Sequence, residues 1–336
     1  MHEARLMLLT CEAARPFAER VARVLDRPLV RTRETWFACG EGKLNIGEHV
    51  RRGDLYVFQS MVGPGDGRSP YDRFIMLLHA VEAAALSDAE SVTVVVPYYP
   101  GARQDKRKDG GREGISAGLF ARMLQDAGAS RVIAVEIHNE AIGGMFDPSR
   151  CRLENLYLTQ RLADWLQREG LAGDTVVAPD VGGLERARRF ASVLESDLVA
   201  LSKERDYSTP NKVHRATLIG GVQGKDVLLI DDMIDTAGSV VAAVDELKAH
   251  GAGNVTVACA HPVFSAPAWD RLAGLAARAK AEGWRFAVVG TDSVQHRDTP
   301  TWYYEYPLHG LIAEVIRHIH ARESVAHAQD RASRWG

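Results

Sequence analysis

The sequence predicts an α/β fold in which two domains each carry a largely parallel sheet flanked by helices. Three observations lead there. Short apolar runs alternate with amphipathic stretches almost throughout, the pattern of repeated βα units. The 336 residues exceed the usual size of one domain and suit two of roughly 150 residues each. A turn-rich segment, GGMFDPSRCRLEN, interrupts the alternation and places a boundary by Leu156.

Taken in order, apolar runs bounded by polar residues read as strands at 55–59 (LYVFQ), 92–97 (VTVVVP) and 132–137 (VIAVEI) in the first half. The second half has 175–179 (TVVAP), 198–201, 227–230 (VLLI), 255–260 (VTVACA) and 286–290 (FAVVG). Runs this continuously apolar are expected to be buried on both faces, as parallel strands are. Helical spacing lies between them. Ile115, Leu119, Met123 and Ala127 fall on one face of a helix over 115–127, and Val240, Val241, Val244 and Leu247 mark another from Ser239. Residues 325–336 are polar and aperiodic, as a chain tail is.

Composition excludes several classes. The net charge of −3 argues against bulk binding to nucleic acid, while leaving room for a basic cluster that meets a small anion. No run approaches the ~18 apolar residues of a membrane span, and the first residues carry acids where a signal peptide wants bases, so a cytoplasmic protein is expected. Cys11, Cys39, Cys151 and Cys259 are scattered with no CxxC pair, which argues against zinc and against a disulfide framework.

The chemistry-bearing residues gather at strand ends. VLLIDDMIDTAGSVV runs an apolar strand ending at Ile230 into Asp231 and Asp232, then through Asp235, Thr236, Ala237, Gly238 and Ser239 into a helix. Carboxyl ends of strands bind ligands in α/β sheets, and unpaired N–H groups at a helix start suit an anion. The same stretch also fits an ordinary strand–loop–helix with a solvated rim, and it lacks both the P-loop ending and the dinucleotide GxGxxG spacing. The loop YYPGARQDKRKDGGREGIS is rich in cations. Arg103 in it suits polyphosphate because a guanidinium binds oxygens in pairs, and Tyr98 and Tyr99 offer flat faces for a base. His138 and Asp180 each follow a strand, as do Lys203 and Arg205, which fall in a polar loop with Pro and Asn. Each of these fits a plain surface residue when taken alone.

From Phe37 to Ser324 the chain resembles the ribose-phosphate pyrophosphokinase family. The matching stretches keep their order: FACGEGKLNI, PYYPGARQDK, REGISAGLFARML, EIHNEAIGGMFD, APDVGGLERAR, KER, IDDMIDTAGS and HPVFSAPA. The resemblance implies two phosphoribosyltransferase-like domains: 1–155 with the ATP-binding elements, and 156–324 with the ribose 5-phosphate and catalytic loops. It implies transfer of the β,γ-diphosphoryl group of ATP to the 1-hydroxyl of ribose 5-phosphate, with Mg²⁺. By the same resemblance Lys203 and Arg205 are catalytic, and Cys39, Gly40, Glu41, Arg103 and Gln104 bind ATP. Asp231, Asp232 and Asp235 to Ser239 bind the sugar phosphate, and His138 and Asp180 face the metal. The stretch around Phe37 reaches a neighbouring subunit in the family, which implies a homo-oligomer built from dimers, commonly a hexamer. Three other readings share parts of the pattern: a pyrophosphokinase with a different ribose-bearing acceptor, a phosphoribosyltransferase, and a non-catalytic regulatory paralogue.

Departures from the family pattern are local. Cys39 stands where Asp or Asn is usual, Glu136 where Asp precedes the family's Leu-His, and Gly118 where Lys is usual. A thiol is a weak hydrogen-bonding partner, so a broadened nucleotide preference is expected from Cys39.

Overall fold

The computed structural model describes residues 4–63, 66–107, 110–205 and 213–326, with side chains for all of these except 202–205 and 213–217. The described chain forms two compact units. One holds the residues through Tyr157, Ser293–His296 and those from Pro307; the other holds Leu158–Asp292 and Arg297–Tyr306.

In the first unit β1 (Arg5–Thr10) leads through α1 (Arg15–Leu25) to a two-stranded antiparallel ribbon, β2 (Thr32–Trp36) and β3 (Gly42–Ile46). Then follow β4 (Gly53–Phe58), α2 (Pro70–Leu86), β5 (Ser91–Val95), α3 (Ser116–Asp126), β6 (Arg131–Val135) and β7 (Arg152–Leu156). The five sheet strands are all parallel, in the order β1-β4-β5-β6-β7. Leu55, Val57, Val94 and Val132 pack with Phe74 and Leu77 of α2 and with Phe120 and Leu124 of α3, where the Phe74 and Phe120 ring centroids are 4.4 Å apart. Helix α2 starts on a full capping box: Asp72 N–H donates to Ser69 Oγ at 3.2 Å, and Ser69 N–H donates to Asp72 Oδ2 at 2.8 Å.

The second unit runs α4 (Thr159–Arg168), β8 (Thr175–Ala178), α5 (Leu184–Leu194), β9 (Asp197–Arg205), β10 (Val213–Ile219), β11 (Val227–Ile234), α6 (Gly238–Ala249), β12 (Val255–Pro262), α7 (Ala268–Glu282), β13 (Phe286–Thr291) and β14 (Tyr303–Tyr306). The strand order is β10-β9-β8-β11-β12-β13-β14, parallel except for the β9–β10 pair. The last helix, α8 (His309–His320), returns to the first unit and packs on α1, with His320 Nδ1 2.7 Å from Asp54 Oδ2. Both sheets thus have the expected α/β character. Among the described residues no helix is long and apolar enough to cross a membrane.

Four expectations are corrected. Strand β11 ends at Ile234, not Ile230, so Asp231 and Asp232 lie within it. The cause is β12, which is just as long and keeps pairing, Asp231 opposite Cys259 and Met233 opposite His261. Strand β9 likewise runs to Arg205, because β10 pairs with it antiparallel, Ala216 opposite Lys203 and Val213 opposite Arg205. Lys203 and Arg205 are therefore on a strand; their side chains, and residues 206–212, lie outside what is described. On α3 the buried face is Ala117, Phe120, Ala121 and Leu124, whereas Ile115 and Leu119 are exposed, because Phe120 is the residue that meets α2. Tyr99 is buried and donates its hydroxyl to Ala117 O at 3.0 Å, so it is a core residue and no stacking platform for a base.

Candidate functional site

In the second unit the sheet order contains a switch point. From β8 the chain crosses by α5 to β9 on one side, and from β11 it crosses by α6 to β12 on the other. Neighbouring parallel strands whose crossovers diverge leave a crevice beyond their carboxyl ends, the usual ligand position in open α/β sheets. Both acidic motifs of this half flank that crevice. After β8 comes Asp180, whose Oδ1 accepts the Gly183 N–H at 3.0 Å, while its second carboxylate oxygen has no partner among the described residues. At the end of β11 come Asp231, Asp232 and the turn to α6.

The two β11 carboxylates differ in setting. Asp232 is 6% exposed, and Asp231 is half-buried. Asp231 Oδ1 accepts the Asp232 N–H at 2.8 Å, and Asp232 Oδ1 accepts the Met233 N–H at 2.9 Å. Burial first, and the adjacent Asp232 second, push the Asp231 carboxyl well above the usual carboxylate range; the Arg186 guanidinium on α5 opposes this. A carboxyl that holds its proton more tightly when folded stabilises the fold below its unfolded pKa, about 4, and that contribution is lost as pH rises through the folded value. Asp231→Asn is therefore expected to lose less stability than wild type between pH 4 and neutrality, and urea unfolding across that range checks it.

The turn Asp235–Gly238 is built for an anion. Ala237, a non-glycine residue, has φ 59°, and no side chain caps the helix it precedes. A left-handed alanine costs about 1–2 kcal/mol, and such strain concentrates at functional turns. No acidic residue occupies the first turn of α6, and the N–H groups of Gly238 and Ser239 have no acceptor among the described residues. Of the loop residues, Thr236 and Ser239 are exposed, Asp235 and Gly238 are half-buried, and Ala237 is buried.

In the first unit the candidates sit at the ends of adjacent strands and on the ribbon. Gln104, in the loop after β5, is tied to the start of α3 through a hydrogen bond between its Oε1 and Ser116 Oγ. Asp105, from the same loop, accepts from the Asn139 amide just after β6, which joins the cationic loop to the HNE segment. Arg103, Gln104 and His138 are all exposed. Cys39, Gly40 and Glu41 form the exposed tip between β2 and β3, closed by Phe37 N–H to Glu41 O at 2.8 Å, with Gly40 at φ 94°. That φ is open to glycine and strained for any residue with a Cβ.

One residue of this cluster went unread as a site residue. Glu136 is 7% exposed and has φ 42°, and its N–H is held by Leu156 O at 2.9 Å. A buried acid in a left-handed backbone two residues before His138 marks the end of β6 as a strained turn of the kind functional sites use. Its signals in the sequence were a carboxylate closing an apolar strand and its place where the family pattern has Asp. Among the described residues no group of three or more His, Cys, Asp or Glu side chains gathers as a self-contained metal cage.

Comparison with known proteins agrees across the chain. Residues 6–128 match the model of the N-terminal domain of ribose phosphate pyrophosphokinase, and residues 154–307 match the phosphoribosyl transferase domain. A ribose-phosphate pyrophosphokinase of Helicobacter hepaticus is 38% identical over 309 residues, covering 92% of this chain and 94% of its own. Ribose-phosphate pyrophosphokinase 2 of Enterococcus faecalis is 35% identical over 328 residues, covering 96% of each. In structure, phosphoribosylpyrophosphate synthetase from Mycobacterium smegmatis superposes with a TM-score of 0.83 at 30% identity, covering 95% of this chain and 99% of that one.

Proposed function

The chain belongs to the ribose-phosphate pyrophosphokinase family, and we infer from that premise what its two units contribute. It is a ribose-phosphate diphosphokinase: the 1-hydroxyl of ribose 5-phosphate attacks the β-phosphorus of ATP, an O–P bond forms, the bond to the α-phosphate oxygen breaks, and phosphoribosyl pyrophosphate and AMP result. The observation that carries the sugar half of the reading is the switch point between β8 and β11, with the uncapped start of α6 beside it. There the N–H groups of Gly238 and Ser239 take the 5-phosphate, in the loop Asp235 to Ser239, and Asp231 with Asp232 takes ribose hydroxyls. Residues 1–155 supply ATP through Arg103, Gln104 and the Cys39–Gly40–Glu41 tip. Lys203 and Arg205 meet the charge that grows on the transferring group.

Mg²⁺ fits this donor set. It is a hard ion that keeps several waters and needs only one or two carboxylates beside substrate phosphates, so the unpartnered oxygen of Asp180 suits it and a full protein cage is not required. Asp180 in the second unit and His138 in the first are each a candidate to hold such an ion, His138 offering a nitrogen softer than Mg²⁺ prefers. When bound, the ion supplies neutralisation of phosphate oxygens.

A homo-oligomer built from dimers follows from the family membership and would cover apolar side chains such as Phe37, Tyr71, Ile75 and Leu119, which are exposed. A cytoplasmic location accords with the chemistry. Incubation with ATP, ribose 5-phosphate and Mg²⁺ tests the function: AMP and phosphoribosyl pyrophosphate should appear in equal amounts and vanish with a chelator, whereas activity needing a free base and releasing diphosphate would mark a phosphoribosyltransferase.

Cys39 gives a specificity test. Its thiol is exposed at the nucleotide-facing tip, and Cys39→Asp restores a strong acceptor. The variant is expected to favour ATP over GTP and CTP by about 1 kcal/mol more than wild type, the scale of one net hydrogen bond. Ratios of kcat/KM measure it, and a strict ATP preference unchanged by the substitution would contradict it.

A further inference from the structure

Beside the loop that this reading gives to the sugar phosphate lies a cation from another element. Arg271, in the first turn of α7, donates from Nη1 to the carbonyl of Thr236 at 2.8 Å. The same nitrogen is 3.4 Å from where a Cβ on Gly238 would stand, so the guanidinium lies against the first turn of α6. The segment leading into α7 is fixed to the end of β11, where Phe264 N–H donates to Ile234 O at 3.0 Å, and Arg271 N–H opens the helix by donating to Pro267 O at 3.1 Å. Among the described residues no carboxylate pairs with Arg271, and its Nε and Nη2 have no partner. A guanidinium carries five donors in a fixed fork. One of them holds the loop, and the others are left over beside N–H groups that also lack acceptors.

We propose that Arg271 is a binding residue for the 5-phosphate of the sugar. It pins the loop through Thr236 and turns its remaining N–H groups to the same dianion that the start of α6 receives. The backbone N–H groups recognise the oxygens by geometry, while Arg271 supplies the full positive charge that this loop's own sequence, Asp235 to Ser239, does not contain. The proposal rests on the assignment of that loop to the phosphate. It makes recognition of a phosphorylated sugar, as opposed to a free one, partly a property of α7.

The test compares wild type, Arg271→Gln, Arg271→Lys and Ser239→Asp for kcat, for the KM of each substrate at low and high salt, and for melting temperature. Arg271→Gln should raise the KM for ribose 5-phosphate roughly 10-fold or more at low salt, as loss of a hydrogen-bonded charge does. The KM for ATP, kcat and the melting temperature should stay near wild type. High salt should narrow the gap, since screening weakens the exposed charge in wild type. Arg271→Lys should recover part of the loss. Ser239→Asp places a carboxylate in the loop itself. If it raises the KM for ribose 5-phosphate while Arg271→Gln does not, the proposal is overturned and the loop assignment stands. Should neither variant change that KM, the loop assignment fails and the proposal with it. A fall in melting temperature and kcat in Arg271→Gln, with both KM values moving together, would overturn the proposal by making Arg271 a staple of the fold only.

Discussion

Lys203→Ala is expected to lower kcat for diphosphoryl transfer by about 100-fold or more, with little change in the affinity for ribose 5-phosphate. Strand β9 pairs with β8 from Thr175 opposite Asp197 as far as Ala178 opposite Ala200, and from Leu201 to Arg205 it continues with β10 as a two-stranded ribbon past the end of β8. That ribbon extends at the carboxyl end of the sheet, the end where the switch point lies. A cation on it can act on charge that exists only during transfer, which affects kcat and leaves ground-state binding alone. Arg205→Ala should act in the same direction. Near wild-type turnover in both variants, measured by AMP release, would remove them from the catalytic machinery.

The second large effect is expected at Asp231. Asp231→Asn should weaken ribose 5-phosphate by ~10- to 100-fold, the scale of a charged hydrogen bond lost, and leave ATP affinity nearly unchanged. Its backbone is locked in β11 opposite Cys259, and its partner Asp232 is buried, so the pair is held rigidly at the crevice. Rigid acceptors discriminate hydroxyls well because they cannot relax to other partners. Titration of each ligand separately by calorimetry decides the matter. Equal losses for both ligands would place Asp231 in support of the fold.

Much of this was legible in the sequence, for a definite reason. Runs such as VTVACA are apolar on both faces because β12 is buried along its whole length, so composition alone reveals them. Where the strands end was less legible. Asp231, Asp232 and Lys203 look like loop residues by composition, and what keeps them in strands is pairing with β12 and β10, a non-local cause. The α3 face was misread because Ile115 and Leu119 are apolar yet exposed, while small residues, Ala117 and Ala121, sit inside. Helix α8 is amphipathic, but amphipathicity does not name a partner, and its packing on α1 could not be read from spacing. Arg271 gave no signal at all, since a lone arginine early in a helix is ordinary until its hydrogen bond to Thr236 is seen.

The most direct test of the central claim follows the sugar's own oxygen. Ribose 5-phosphate labelled with ¹⁸O at the 1-hydroxyl is incubated with ATP, Mg²⁺ and the protein, and the product is read by ³¹P NMR and mass spectrometry. Attack of that hydroxyl on the β-phosphorus predicts one AMP per product and the label retained in the bridge between C1 and the β-phosphorus. Loss of the label from the bridge, or ADP in place of AMP, would contradict diphosphoryl transfer to the 1-hydroxyl.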